Sequence, residues 1–184
     1  MSNGRAWVEQ HARSRKVVLN LFAYTCSFSV AALRGGAERV VNIDMSQGAL
    51  KTGQRNHQLN NFTAGARFLG HDILKSWGKI TKLGPYDIII VDPPSFQKGS
   101  FVAIKDYGKI VKRLPGLMRS KESRALLCLN APELSADFLI SKVKEAAPQL
   151  RFVRRLENPA SFVDVSPERS LKVLIYACDF EDLT

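Results

Sequence analysis

A chain of 184 residues is long enough for one α/β domain with a sizeable core, and its apolar share of 45% is that of an ordinary globular protein. No run approaches the roughly 18 apolar residues of a membrane-spanning helix, and Met1 precedes polar residues, unlike a signal peptide, so we expect a cytoplasmic protein. Lys and Arg number 27 against 17 Asp and Glu, and this net charge of +10 favours a polyanionic partner such as RNA over a merely solvated basic surface.

Helical and extended patterns alternate along the chain, which predicts a mostly parallel sheet. In the first half of the chain, we expect helices at 4–14, at 27–34 (ended by Gly35-Gly36), from the N-cap Ser46 to about residue 60, and near 73–81, alternating with strands at 16–21, 39–43, 66–69 and 86–91. A loop from 92 to about 101 follows the fourth of these strands. In the second half, we expect helices at 103–118 and 134–147 and strands at 125–129, 151–156 and 171–178. No helix separates the last two strands, so we expect them to be antiparallel. The fold class is therefore a doubly wound α/β sheet of seven strands in a single domain.

The predicted helix at 103–118 is amphipathic. Its expected apolar face holds five residues, namely Ile104, Tyr107, Val111, Leu114 and Met118. Basic residues lie on the other face and in the preceding loop, namely Lys98, Lys105, Lys109, Lys112 and Arg113. We predict that this basic surface binds RNA phosphates, with a plain solvated face as the alternative.

Ligands of an open α/β sheet bind beyond the carboxyl ends of the strands, where strand order reverses. Four segments are expected there: 20–28, 44–46, 70–72 and 92–96. The first lacks a G-x-G-x-x-G fingerprint, which disfavours a nicotinamide-dependent oxidoreductase. Taken alone, this first segment is typical of an ordinary turn between a strand and a helix.

Two carboxylates in these segments are candidates for binding a nucleoside. Asp44 can accept hydrogen bonds from both hydroxyls of a ribose. Its alternative role is to cap the next helix, but Ser46 can supply that cap, so the ribose role is favoured. Asp72 could accept a hydrogen bond from an adenine amino group, and capping remains an equal alternative.

The sequence Asp92-Pro93-Pro94-Ser95-Phe96 is the sharpest signal. Two prolines after a buried strand make a rigid extended turn without N–H donors, which leaves Asp92 as an acceptor facing the cleft. Phe96 offers a ring on which a base can stack. The alternative is a structural turn with Phe96 in the core. The position after the fourth strand favours a site that holds an amine or ring nitrogen.

An ordered set of segments resembles the bacterial large-subunit (23S) ribosomal RNA methyltransferases. The set comprises residues 18–25, Gly35-Gly36-Ala37, Asp44-Met45-Ser46, Ala49-Leu50, Asn56, Leu59-Asn60, Asp72 and residues 92–96. The resemblance implies a class I methyltransferase domain that uses S-adenosylmethionine and modifies RNA by in-line methyl transfer. Members of this family also carry sequence before this domain, often an RNA-binding module, so the resemblance leads us to expect that the chain is a fragment or that its upstream substrate-binding part is missing.

The same resemblance implies the residues of the site. The implied cofactor-binding residues are Asn20, Phe22, Tyr24, Thr25, Ser27, Phe28, Asp44, Met45, Ser46, Asp72, Ile73 and Asp92. The implied catalytic residues are Asp92, Pro93, Pro94 and Phe96, at the target base. The three histidines are scattered, and we assign none of them to catalysis or to a metal.

Two cysteines depart from the family pattern. Cys26 stands where members often carry glycine. The branch of the family that makes 5-methylcytosine has a cysteine just after the fifth strand, whereas Cys128 lies inside the predicted fifth strand of this chain. Attack on cytosine needs a thiolate in an electropositive, partly exposed setting. We therefore predict a nitrogen target, and Asn130 resembles the guanine branch. A non-catalytic RNA-binding protein on this scaffold and a methyltransferase for a protein or small molecule remain the alternatives.

Overall fold

The computed structural model describes residues 1–14, 16–97, 101–160, 166 and 168–179. The helices are α1 (Ser2–His11), α2 (Ser27–Arg34), α3 (Gln47–Leu59), α4 (Trp77–Leu83), α5 (Ala103–Val111) and α6 (Ala136–Ala146). The strands are β1 (Val17–Leu21), β2 (Arg39–Asp44), β3 (Ala66–Gly70), β4 (Ile88–Val91), β5 (Phe96–Gln97), β6 (Phe101–Val102), β7 (Arg124–Leu129), β8 (Leu150–Leu156) and β9 (Lys172–Cys178). No helix in these ranges is long and apolar enough to span a membrane.

Seven strands form one sheet in the order β3-β2-β1-β4-β7-β9-β8. The first five strands of this order are parallel, and β9 pairs antiparallel with both β7 and β8. The chain moves outward from β1 to β3 and then returns to β4, so strand order reverses between β1 and β4. The predicted α/β fold with its antiparallel C-terminal pair is confirmed. The predicted loop after β4 instead contains the small antiparallel hairpin β5–β6.

Helices cover both faces of the sheet, which is why its central strands are continuous apolar runs rather than alternating ones. One core lies beneath α4, α5 and α6 and includes Ile80, Tyr107 and Leu139. The other lies beneath α1 and α2 and includes Trp7 and Phe28. The helix α3 packs beside α2 on this second face.

The helix predicted at 103–118 is shorter than expected, but it presents the predicted face to the core: Tyr107, Val111, Leu114 and Met118 are buried. It ends at Val111, and a separate 3₁₀ turn follows at Pro115–Leu117, because proline cannot donate to a continuing helix. Ile104, predicted to be in the core, is 56% exposed. The first apolar contact of the helix with the core is instead made by Ala103, and the buried stripe then continues through Tyr107, Ile110 and Val111. The helix predicted near 73–81 likewise divides into a 3₁₀ turn at Ile73–Lys75 and α4.

One buried hydroxyl predicts a stabilising substitution. Tyr176 is 2% exposed, and among the described residues its hydroxyl has no hydrogen-bond partner. Because an unsatisfied buried polar group costs free energy, Tyr176→Phe should stabilise the fold by about 1 kcal/mol. The melting temperature should then rise by about 2–4 °C. Tyr86→Phe is the matched control: its hydroxyl donates to the Ile80 carbonyl at 2.7 Å, so its removal should lower the melting temperature. An equal fall in melting temperature in both variants would contradict the prediction.

Candidate active site

The carboxyl ends of β2, β1 and β4 lie side by side at one edge of the sheet. Backbone bonds join them just past the strands, from Ala23 N to Ile43 O at 3.0 Å and from Asp92 N to Leu21 O at 3.4 Å. Asp44 and Asp92 therefore flank the end of β1, about 10 Å apart by strand spacing. The structure brings together the two carboxylates on which the predicted site depends.

Asp44 is buried at the end of β2, and backbone groups hold both of its carboxylate oxygens. One oxygen accepts from Tyr24 N–H and the other from Ser46 N–H, each at 2.8 Å. Ser46 is the N-cap of α3, with its hydroxyl accepting from Ala49 N–H at 3.2 Å, as predicted. Each oxygen of Asp44 has a further lone pair, so this oriented carboxylate can still accept hydroxyl donors.

The loop between β1 and α2 contains three residues in the left-handed conformation. Phe22, Tyr24 and Cys26 have φ of 57°, 47° and 61°. Side chains other than glycine raise the energy of this conformation by about 1–2 kcal/mol per residue. Strained backbone of this kind concentrates at functional sites. The strain at Cys26 also gives a physical reason for the glycine that the related family often carries there.

Contacts from α3 hold this loop in place. The Asn56 side-chain amide donates to the Thr25 carbonyl at 3.0 Å. Cys26 is fully buried against Gly53, where an added Cβ would lie 2.5 Å from the Cys26 Sγ. Gly53 therefore makes room for Cys26, a pairing that no local sequence signal indicates.

A buried polar network lies behind the loop and was not foreseen from the sequence. His57 Nδ1 lies 2.7 Å from the Gly53 carbonyl, so this nitrogen carries the proton and Nε2 accepts from the Ser29 hydroxyl at 2.9 Å. Burial lowers the pKa of His57, which keeps the ring neutral. The Ser29 oxygen in turn accepts from the Asn42 amide at 3.0 Å.

This network ends at Asn20, near the carboxyl end of β1. The Asn20 amide nitrogen donates to Asn42 Oδ1 at 2.9 Å, and this hydrogen bond fixes the orientation of the Asn20 side chain. Asn20 is 1% exposed, and its Oδ1 has no partner among the described side chains and backbone groups. An oriented and unsatisfied acceptor at the candidate site fits a ligand that brings its own N–H donor.

Asp72 follows β3 and caps the next turn. Its Oδ1 accepts from Leu74 N–H at 2.9 Å, and its Oδ2 lies 3.6 Å from Lys75 Nζ. The capping role weighed for this residue is thus present in the structure. The side chain of Ile73 is buried in the core, so only its backbone is available to a ligand.

Asp92 follows β4 and is partly buried beside Cys128. Burial raises the pKa of Asp92 to about 6, although a hydrogen bond with the Cys128 thiol acts in the opposite direction. Pro93 is buried and Pro94 is exposed. Phe96 is 63% exposed, so the alternative that placed its ring in the core is wrong.

Large exposed apolar side chains surround the carboxylates. Tyr24 is 69% and Met45 is 43% exposed beside Asp44, and Phe96 lies beyond Asp92. An edge contact of 5.0 Å between the Phe22 and Phe101 rings joins the β1–α2 loop to the hairpin. Exposed apolar groups around oriented acceptors are typical of a surface that a ligand covers.

The other residues implied for the site are more scattered. Thr25 and Ser27 lie on the loop, at half-buried and exposed positions. Phe28 is 4% exposed and packs against Gly4 of α1, so its side chain lies in the core.

In the predicted basic surface, Lys105, Lys109 and Lys112 are exposed as expected, whereas Lys98 lies outside the described residues. Arg113 lies over the Trp77 ring at 6.0 Å.

The reversed strand order, the carboxylates after β2 and β4 and the antiparallel β9 together define the class I methyltransferase fold. A sequence model of the S-adenosylmethionine-dependent methyltransferase family matches residues 1–177. The chain belongs to this family, as the sequence resemblance predicted.

Curated relatives and a solved structure agree with this assignment. Ribosomal RNA large subunit methyltransferase I of Vibrio parahaemolyticus is 34% identical over 157 residues, which cover 79% of this chain and 39% of the relative. Ribosomal RNA large subunit methyltransferase K/L of Psychrobacter cryohalolentis is 37% identical over 119 residues, which cover 60% of this chain and 15% of the relative. A crystal structure described as a methyltransferase complexed with SAH (S-adenosylhomocysteine) has a TM-score of 0.85 and 26% identity, covering 95% of this chain and 48% of that chain. The chain thus spans well under half the length of these curated relatives.

The residues present fit S-adenosylmethionine. The two anchored oxygens of Asp44 suit the hydroxyls of a ribose, and the unsatisfied Oδ1 of Asn20 suits an ammonium or amide donor. The exposed Tyr24 and Met45 offer apolar surface to a planar base or to the methionine chain. These acceptors and this apolar surface suit the ribose and the methionine end of the cofactor.

Proposed function

We propose that the chain methylates a base nitrogen of large-subunit ribosomal RNA with S-adenosylmethionine as the methyl donor. The observation that carries the proposal is Asp92, a partly buried carboxylate with a raised pKa, next to the exposed Phe96 and on the same sheet edge as Asp44. The names of the curated relatives and the net charge of +10 support RNA as the substrate.

The cofactor's part is to supply a methyl group already activated on a sulfonium, which leaves positioning and proton handling to the protein. Asp44 would hold the ribose, and Asn20 together with the strained loop would hold the methionine end. Asp72 and Ile73 would lie toward the adenine.

Asp92 would hold the target nitrogen by its hydrogen and receive the proton that methylation releases. A carboxylate of pKa about 6 is ionised at neutral pH, yet is a stronger base than an ordinary aspartate. The adjacent Pro93 and Pro94 offer no N–H that would compete for the carboxylate. Phe96 would stack on the base, which must first be extruded if it lies in a duplex.

The cysteines favour nitrogen over cytosine carbon 5. Cys128 is fully buried, and desolvation raises its pKa well above the usual range, with the Asp92 charge acting in the same direction. Burial likewise raises the pKa of the Cys26 thiol to about 12. Carbon methylation requires a thiolate nucleophile, and neither thiol is in a setting that would ionise it.

Methylation of protein-free large-subunit ribosomal RNA with labelled S-adenosylmethionine, followed by mass spectrometry of the nucleosides, tests the proposal. We expect an N-methylated base. Cys128→Ser should retain activity within about threefold, because a hydroxyl preserves the hydrogen bond to Asp92 but is not a thiolate nucleophile.

Three results would contradict parts of the proposal. A 5-methylcytosine product, or a loss above about 100-fold in Cys128→Ser, would overturn the nitrogen target. Cofactor binding without RNA methylation would favour a methyltransferase for a protein or small molecule. RNA binding without cofactor binding in calorimetry would favour a non-catalytic RNA-binding protein.

A further inference from the structure

We propose that a cleft between α5 and α6 binds phosphates of the RNA strand that flanks the target base. This inference rests on the proposed function and adds to it a second contact surface, which shares no lining residue with the site around Asp92. It includes Lys142 of α6, which lies far in sequence from the basic residues of α5.

The cleft has a volume of about 400 Å³. It is lined by Ile104, Lys105, Gly108, Lys109, Lys112, Lys142, Glu145 and Ala146. An added Cβ on Gly108 would lie 3.9 Å from the Ala146 Cβ, so small residues let the two helices approach closely beneath the lysines. The result is a concave surface rather than a convex helix face.

Ammonium groups dominate this surface. The lining holds four lysines and one carboxylate, and the carboxylate of Glu145 pairs with Lys142 at 2.9 Å. Lys109 pairs at 2.7 Å with Asp106, which does not line the cleft. Converging positive charges in a concave surface concentrate anions, and ammonium groups are effective point charges for phosphate.

The exposed Ile104 favours RNA over a simple anion. Its side chain is 56% exposed at the edge of a lysine-rich cleft, where an isolated phosphate would gain nothing from it. A ribose or base carried between phosphates would cover this apolar surface.

The helix α5 leads directly from the proposed base site to the cleft. Val102 pairs with Phe96 in the hairpin, and α5 begins at the next residue, Ala103. The nine residues of α5 extend about 13 Å from the hairpin. A strand whose base stacks on Phe96 can therefore continue along α5. Arg113, included in the predicted basic surface, does not line the cleft and lies against Trp77.

The test compares two sets of substitutions in the full chain. Lys105→Gln, Lys112→Gln and Lys142→Gln together remove three charges from the cleft and keep the side-chain stems. Lys51→Gln with Arg55→Gln is the control, which removes two charges from exposed residues of α3, on the other face of the sheet. The probe is a fluorescein-labelled single-stranded RNA of 20 nucleotides and mixed sequence, titrated by anisotropy at several salt concentrations.

We expect the triple variant to bind this RNA at least about tenfold more weakly at 0.1 M salt. The slope of log affinity against log salt should fall by about 2, since each phosphate contact to a single strand contributes about 0.7. The α3 control should stay within about threefold of the unmodified chain. Binding of S-adenosylmethionine in calorimetry should be unchanged in both, which excludes a folding defect.

Two results would overturn the inference. One is an unchanged affinity and salt slope in the triple variant. The other is binding of polyaspartate more tightly than the RNA at equal charge concentration, which would identify a site for acidic peptides. The proposed function fails separately: if the unmodified chain binds the RNA through this cleft but methylates no ribosomal RNA, RNA binding by the cleft stands, whereas the proposed function and the link to a target base do not.

Discussion

Asp92→Asn is expected to lower kcat for methyl transfer by at least about 100-fold while leaving the protein folded. The amide keeps the shape of the carboxylate and an oxygen that can accept from the Cys128 thiol. It cannot receive the proton that the target nitrogen loses. The measurement is single-turnover methylation of ribosomal RNA at saturating cofactor, with cofactor affinity followed by calorimetry and expected to change by no more than a few-fold.

The raised pKa of Asp92 also fixes the sign of two pH dependences. Activity of the unmodified enzyme should fall as pH decreases through about 6, because the protonated carboxyl cannot accept the proton. For stability, the folded state favours the neutral form. The contribution of the Asp92 carboxyl group to the free energy of unfolding is therefore fully present below pH 3.8, its ordinary pKa, and is lost as pH rises through about 6. Asp92→Asn should therefore have a higher melting temperature than the unmodified chain at pH 8, and this difference should disappear near pH 4.

Asp87→Asn is the control at the opposite end of the same strand. The Asp87 carboxylate accepts from Val17 N–H at 2.8 Å and lies 3.2 Å from Arg119 Nε, so its charge is compensated. Its neutralisation should lower stability at pH 8 and leave methyl transfer per folded molecule unchanged. Destabilisation of Asp92→Asn at pH 8, or unimpaired kcat in that variant, would refute the role assigned to Asp92.

The positions of Asp44 and Asp92 at the site could be predicted from the order of strands in the sequence. Asp44 and Asp92 follow buried apolar runs, and parallel strands place their carboxyl ends on one edge, so both site carboxylates were identifiable from the sequence. The same logic identified Ser46 as a helix cap. Each of these features depends on residues close together in the chain.

The features that were missed depend on distant contacts. The left-handed conformation of Cys26 requires the space left by Gly53, and the orientation of Asn20 requires Asn42, Ser29 and His57 from three further elements. Periodicity identified the start of α5 at Ala103 and its buried stripe through Tyr107 and Val111, but it could not show that Ile104, at the edge of that stripe, is exposed.

The second large effect is expected for Asp44→Ala, which should weaken S-adenosylmethionine binding by about 10–100-fold. Hydrogen bonds to a charged group contribute about 1.5–3 kcal/mol, and the carboxylate here is oriented before the ligand arrives. The substitution also leaves Tyr24 N–H and Ser46 N–H without their acceptor, so the strained loop loses an anchor. Calorimetry gives the dissociation constant directly.

A loss of affinity must be separated from a general loss of stability, and Ser135→Ala provides the comparison. Ser135 caps α6 by accepting from Phe138 N–H at 3.3 Å, so its removal should cost about 1 kcal/mol of stability without altering cofactor affinity. Cofactor at 100 times the unmodified chain's dissociation constant should stabilise the unmodified chain and the Ser135 variant by about 2.7 kcal/mol. The same cofactor concentration should give Asp44→Ala a much smaller thermal shift. If all three proteins gained equally, Asp44 would be an anchor of the loop and not a ligand of the ribose, and the cofactor site would have to be placed elsewhere along the sheet edge.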